Sequence, residues 1–293
     1  MMFKQLIKNT YEFYKNLTGD FFSITNIKDL LVEQTILEIK KNRRYKNSKS
    51  LINYEFQVYS QNGEDGIIEE IFERIGLTNK FFIEIGAGNG LENNTAYLLF
   101  KNWKGIWFEA SSDSVKKIKE NTQNLDKSGK LKVVQSFVTV DNINKTLREN
   151  KCPKQFDLLS IDIDGNDYWI WQEIIRKYNP RCVVIEYNGT FGSTSSWIMK
   201  YNARHIWHTT SYYGASLKAL ELLGNKLGYA LVGCNLTGIN AFFVRKELVK
   251  DLFLKPFTSE NHYEPPRYFL MRNSGLYRNT GHKRVYDNFN DIS

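Results

Sequence analysis

Phe81 to Gly90 reads FFIEIGAGNG, an apolar strand running straight into a loop with Gly86, Gly88 and Gly90 at alternate positions and a carboxylate, Glu84, two residues ahead of the first glycine. The glycines allow sharp turns at positive φ and let a ligand lie against bare main chain. A nucleotide-type cofactor at the end of a parallel strand needs that geometry. The spacing is G-x-G-x-G, and Leu91 stands where a dinucleotide site would carry its third glycine. A glycine turn without a ligand is the plainer reading of the loop taken alone.

The segment that follows narrows the choice. A second strand, GIWFEAS over Gly105–Ser111, ends on Glu109, 23 residues beyond Gly86. An acid at the tip of the second strand is placed to accept hydrogen bonds from both ribose hydroxyls of a nucleoside, although a solvated strand end looks the same in sequence. Ser111, Ser112 and Asp113 offer N-caps to a helix carrying Val115 and Ile118. Glu84 ahead of the glycines tilts the cofactor towards S-adenosylmethionine, because the loop need not face a pyrophosphate.

The bulk numbers set wide bounds. A chain of 293 residues can bury a large core in one or two domains, and 42% apolar with 25% charged residues is ordinary globular composition. No apolar run approaches 18 residues, so no transmembrane segment is expected. The start, MMFKQLIKNTYEFYKNL, lacks the continuous apolar block of a signal peptide. Cys152, Cys182 and Cys234 are scattered and odd in number, which suits reduced thiols and a cytoplasmic location. A net charge of +8, densest over Lys40–Lys49, points weakly towards an anionic acceptor or surface. No RNA-binding signature accompanies it, so nucleic acid is not expected.

Three regions are expected: a helical N-terminal extension over 1–50, a cofactor-binding domain over 51–250 and a C-terminal arm or lid over 251–293. In the first, Phe3, Leu6, Ile7, Phe13 and Leu17, then Leu30, Leu31, Leu37 and Ile39, recur at roughly helical spacing. Such a stripe fits an internal or homo-oligomer contact better than a membrane anchor. Beyond residue 56 the pattern alternates between helix and strand. A helix is expected over Asp65–Ile75 and strands over Phe81–Ile85, Gly105–Glu109, Leu131–Phe137, Phe156–Ile163 and Cys182–Tyr187, with a further helix over Trp169–Tyr178 stopped by Asn179-Pro180. This predicts a parallel sheet with its ligands at the carboxyl ends. After a helix over Ala215–Leu227, strands over Tyr229–Gly233 and Ala241–Arg245 are joined by a linker too short for a crossover helix, so they must pair antiparallel. The expected fold is α/β, a mostly parallel seven-stranded Rossmann-like sheet with an antiparallel terminal hairpin, the outline of a class I methyltransferase.

With SQNGEDGIIEEIF, FFIEIGAGNG, GIWFEAS, FDLLSIDIDGNDYWIW, VVIEYN and INAFFVRK in this order, residues 56–247 resemble the FkbM-type class I methyltransferases, S-adenosylmethionine-dependent enzymes that mostly O-methylate sugars and natural products. The resemblance implies that Gly86, Gly88 and Gly90 cradle the methionine part of the cofactor and that Glu109 holds its ribose. It also implies that Gln61 and Asp65 line the same pocket and that Ser136 and Phe137 flank the adenine.

Strand four ends in Asp162-Ile163-Asp164-Gly165-Asn166-Asp167 and strand five in Glu186-Tyr187-Asn188. Gathered oxygens of this kind suit a hard cation such as Mg²⁺. The layout resembles the catechol-type O-methyltransferases, which makes Asp162, Glu186 and Asn188 the expected ligands, although Tyr187 interrupts the acid–Asn pair. An EF-hand fails because Asp167 sits where the loop needs glycine. A glycosyltransferase DxD, the rival enzyme class, would leave GAGNG and Glu109 without a role. Acids that merely cap turns, and a methyltransferase fold without activity, stand as the plainer alternatives. His205 and His208 are the candidate general bases, with Asp164 as competitor. Trp197, Tyr201, Trp207, Tyr212 and Tyr213 form either a platform for a sugar face or core.

Overall fold

The computed structural model describes residues 27–270. The apolar positions expected at Phe3, Leu6, Ile7, Phe13 and Leu17, and the last part of the arm (271–293), lie outside the described residues. The element order is α1 (27–40), α2 (Glu64–Ile75), β1 (Phe81–Ile85), α3 (Ala96–Phe100), β2 (Lys104–Glu109), α4 (Ser112–Asn121), α5 (Gln123–Lys127), β3 (Leu131–Gln135), α6 (Ile143–Glu149), β4 (Gln155–Ile161), α7 (Asp167–Ile174), β5 (Asn179–Glu186), α8 (Leu217–Leu227), β6 (Tyr229–Cys234) and β7 (Asn240–Arg245). The strands form one sheet in the order β3-β2-β1-β4-β5-β7-β6. The first five run parallel, and β7 inserts antiparallel between β5 and β6.

Both faces of the sheet are covered, which is why its strands read as nearly unbroken apolar runs. Phe82, Trp107, Leu158, Val184 and Phe242 pack on one face with Ile67, Ile68, Ile71 and Phe72 of α2. Ile83, Ile85, Phe108, Leu159, Ile161 and Ile185 pack on the other with Ile170 and Trp171 of α7 and Leu220 of α8. A one-residue slip of any strand would exchange these sets, so burial on both sides fixes the register.

That register assembles the site. Phe108 pairs with Ile85, Ile85 with Ile161, and Ile161 with Ile185. The next residue along each strand is therefore Glu109, Gly86, Asp162 and Glu186, in one row across the carboxyl end of the sheet. The switch in strand order, where β1 is flanked by β2 and β4, opens the crevice in which doubly wound sheets bind their ligands.

Element ends shift slightly from the sequence reading. β3 stops at Gln135, and α8 begins at Leu217 because Ser216 Oγ accepts from the Ala219 amide as an N-cap. Of the apolar positions expected in helix α1, Ile39 packs inward, with Val32 and Ile36, against Tyr45, Ile52, Leu236 and Leu270, while Leu30, Leu31 and Leu37 are exposed. Among the described residues, no helix is long and apolar enough to cross a membrane.

The frame buries carboxyl groups, and their titration gives the first prediction. Burial pushes the pKa of Glu55 up to about 8 and that of Glu84 up to about 7, against an ordinary value of 4.5. Such a group stays protonated in the fold over a range where the unfolded chain ionises. Its contribution is complete below about pH 4.5 and is lost as pH rises through the folded values. The melting temperature should therefore fall between pH 5 and pH 8, and Glu55→Gln should flatten that limb. A melting temperature that rises over this interval in wild type would contradict the assignment.

Candidate active site

A cavity of about 660 Å³ lies over the row of strand ends. Gly86 and Gly88 form one side, Glu109 and Ser111 another, and Ser136, Phe137 and Val138 a third. Asp162, Ile163 and Asp164 close it from the β4 tip, and His205, Ile206 and Trp207 come over it from the loop after β5. Phe137, Ile206 and Trp207 are 47%, 65% and 40% exposed around this one opening, the signature of an apolar rim that a ligand would cover.

Two of the glycines are demanded by geometry. Gly86 has φ +90°, and a Cβ there would stand 1.6 Å from the carbonyl oxygen of Asp162, so β1 and β4 can converge only over bare backbone. Gly88 has φ +53° with nothing within 4 Å of the same position, open towards the cavity. Gly90 (φ +79°) instead packs against Ile118 and Trp107, outside the lining. Glu109 ties the two sides together: one carboxylate oxygen accepts from the Gly88 amide (2.7 Å), the other from the Ser111 amide (2.8 Å).

Three further residues expected at the cofactor are not in the lining. Glu84 shares the Phe82 face of β1 and accepts from the Asn94 amide (3.0 Å) and the Thr95 hydroxyl, which itself accepts from Trp107 Nε1 (2.8 Å). It is a buried strut for the loop leading into α3. Asp65 accepts from the amides of Val58, Tyr59 and Ser60 (2.6–2.9 Å) and so folds the turn before α2. Gln61 accepts from Asn62 in the same turn.

The acidic cluster forms with a changed membership. Asp162, Asp164 and Glu186 each offer an oxygen, all within 4.8 Å of one another. Asn188, expected as the third ligand, is spent elsewhere: its amide donates to the carbonyls of Ser211 and Tyr213, and its oxygen accepts from Thr190. Asp164 takes the place expected for it. The turn that presents Asp164 holds it at φ +53°, a left-handed conformation that costs most residues energy. Asp167 stabilises that turn by accepting from the amides of Ile163 and Gly165 (2.9 and 2.8 Å). The role of Asp167 was missed in the sequence, although the residue lies inside the quoted motif.

Burial, and then the neighbouring carboxylates, push the pKa values of Asp162 and Glu186 well above the usual range. Burial likewise raises Asp164, and the nearby His205 opposes the shift. Among the described residues, no lysine or arginine lines the cavity, which leaves His205 as the basic side chain beside the cluster. Glu186 Oε2 is buried without a hydrogen-bond partner, as is His205 Nε2. His208 is not in that lining; it borders an adjoining depression that His205 and Ile206 also line, with Arg204, Thr210 and Tyr212.

Sheet order, glycine loop and strand-tip acid together give the architecture expected from the sequence, an α/β fold with a mostly parallel seven-stranded sheet and an antiparallel terminal hairpin. No family model matches the sequence, and no curated protein does. Among solved structures, the chain is similar to the METTL16 MTase domain (TM-score 0.41, 14% identity, covering 61% of this chain and 64% of that one). It is also similar to the N-terminal domain of EvdMO1 with SAH bound (0.41, 10%, 71% and 94%). A third is an S-adenosylmethionine-dependent methyltransferase from Clostridium acetobutylicum ATCC 824 (0.39, 10%, 73% and 98%). The METTL16 values are for the second crystal form of that domain; another structure of it is matched over 52% of its length, so the chain spans about half to two thirds of that domain. Similarity this distant says nothing of activity.

Proposed function

We propose that the protein is an S-adenosylmethionine-dependent O-methyltransferase of the FkbM type, acting on a hydroxyl of a sugar, nucleotide-sugar or glycan precursor. The observation that carries this reading is the single row Glu109, Gly86, Asp162 and Glu186 across the sheet, with His205 brought over it. The glycine loop leaves room for the methionine portion, Glu109 offers acceptors to the ribose, and Phe137 and Val138 offer an apolar wall to the adenine. Bound there, S-adenosylmethionine would supply a sulfonium methyl to an acceptor oxygen held in line with the carbon–sulfur bond, leaving neutral S-adenosylhomocysteine. The hydroxyl proton passes to His205, or to Asp164. Most of the rate would come from holding the two reactants in line.

The donor set Asp162, Asp164 and Glu186 also fits a divalent ion: all are hard oxygens, and Glu186 Oε2 is buried without a partner. Bound there, Mg²⁺ would lower the pKa of the acceptor hydroxyl. A metal-dependent glycosyltransferase is the alternative reading of the same acids, and affinity for a nucleotide-sugar in place of S-adenosylhomocysteine would favour it.

Calorimetric titration of S-adenosylhomocysteine into the folded protein tests the cofactor, with micromolar affinity expected; no binding would refute the methyltransferase reading. Titration of Mg²⁺ tests the cluster. Burial and mutual repulsion raise these carboxyls, and a bound cation must displace any proton they carry, so the protons released on metal uptake should increase as pH falls, seen as a heat that depends on the ionisation enthalpy of the buffer. Glu186→Gln should weaken Mg²⁺ at least tenfold. Equal affinity in wild type and variant would remove the metal from the proposal and leave the cofactor untouched. Binding of cofactor with no turnover on any sugar acceptor would favour a non-catalytic role.

A further inference from the structure

One buried side chain joins the β4 tip to the loop that crosses the cavity. Asn166 Nδ2 donates to the carbonyl of Asn202 (2.8 Å), and its Oδ1 accepts from the Asn202 amide (3.3 Å). This is a two-point clamp on one residue's backbone. The His205 amide in turn donates to the Asn202 carbonyl (2.9 Å), so the clamped residue opens the turn that ends on His205. The Gly214 amide donates to the Gly165 carbonyl (3.1 Å), fastening the far end of the same loop to the same tip. Beneath the imidazole lies Gly165. A Cβ there would stand 2.3 Å from His205 Cδ2 and 3.0 Å from Nε2. Gly165 is not among the glycines with positive φ, so it is the ring above it, and not the turn, that leaves no room for a side chain.

We propose that Asn166 is a positioning residue that sets His205 over the cavity through the Asn202–His205 turn, with Gly165 as the seat of the ring. The proposal rests on the reading of His205 as proton acceptor. It explains why one of two histidines three residues apart lines the cavity while the other does not. An irregular loop has no period to aim a side chain, and the clamp supplies the aim instead.

The test uses the ring signals of the histidines in nitrogen-15 correlation spectra of the full chain, with His205→Gln to assign them. His208, exposed, and His262, buried elsewhere, serve as internal references. In Asn166→Ala the His205 signals should move to the sharp, averaged positions of His208 while those of His262 stay fixed. Asn166→Asp is isosteric and keeps the acceptor but not the donor, so it should shift His205 part of the way in a protein that still folds. Gly165→Ala should lower the melting temperature, and His205→Ala in the same chain should restore most of that loss, because the clash has gone. Unmoved His205 signals in both Asn166 variants, or additive effects of the Gly165 and His205 changes, would overturn the proposal. None of these readouts needs cofactor or acceptor. They therefore fail separately from the methyltransferase reading, which fails if wild type does not bind S-adenosylhomocysteine.

Discussion

Glu109→Ala is expected to weaken S-adenosylhomocysteine binding about a hundredfold, the largest effect of any single change in the cavity that leaves the sheet intact. Two losses combine. The carboxylate has lone pairs to offer the two ribose hydroxyls, and hydrogen bonds to a charged group are worth about 1.5–3 kcal/mol each, so even at the lower end of that range losing the pair accounts for about two powers of ten in affinity. In the free protein the same carboxylate also bridges the Gly88 and Ser111 amides. Its removal frees the glycine loop, which must then be ordered by the ligand at a further cost. Glu109→Gln separates the two contributions. The amide keeps one acceptor oxygen, so it can hold either Gly88 or Ser111 but not both, and binding should fall between wild type and Ala. Neither variant should move the melting temperature by more than a few degrees, because Glu109 is only half-buried at a strand tip. Unchanged affinity in Glu109→Ala would mean that the ligand does not lie along β2, and the orientation proposed here would be wrong.

Most of the fold is readable in the sequence because burial leaves a periodic mark. VVIEY, FDLLSI and FFIEI are apolar on both faces since both faces are covered. The antiparallel ending follows from a linker too short to cross over. The strand-tip row is legible for the same reason: once the strands are set side by side, the residue after each apolar run falls into place. What escapes is whatever depends on partners far along the chain. Asn188 looks like a ligand until the carbonyls of Ser211 and Tyr213 claim its amide. Asp65 and Glu84 sit in the right motifs, yet they serve backbone amides of neighbouring turns. His205 and His208 are equivalent in sequence, and the bonds that place their loop, Asn166 to the Asn202 backbone and Gly214 to Gly165, join segments far apart in the chain. Helix α1 shows a subtler failure. Its apolar residues cover more than one face, and only the position of Leu236 and Leu270 decides that Val32, Ile36 and Ile39 turn inward.

At the opposite end of the sheet, Asp157→Ala should destabilise the protein by about 3–5 kcal/mol, the loss typical when one partner of a buried ion pair is removed. Asp157 is fully buried on β4 and meets Arg181 of β5 at 2.9 Å, with the arginine side chain only 9% exposed. The guanidinium also donates to the carbonyls of Ile75 and Gly76 at the end of α2, and Asp157 accepts from Thr78, Asn79 and Lys80. One carboxylate thus ties α2, β1 and β5 together. Truncating it strands a buried cation and leaves the amides of residues 78–80 without their acceptor. Replacing both members, Asp157→Leu with Arg181→Met, should cost less than Asp157→Ala alone, because it leaves no uncompensated charge. The acid limb supplies a second check. Burial alone would raise this carboxyl, but hydrogen bonds from Thr78 and Arg181 outweigh it and hold its pKa below the ordinary 3.8. Its contribution is therefore present above that value and lost as pH falls through the folded one, opposite in sign to that of Glu55. Asp157→Asn should remove this part of the acid limb while leaving the decline between pH 5 and pH 8 in place. Urea midpoints for the four chains at pH 3 and pH 7 decide the matter. A single mutant no less stable than the double would show that the pair serves the fold by geometry alone and contributes nothing through its charge.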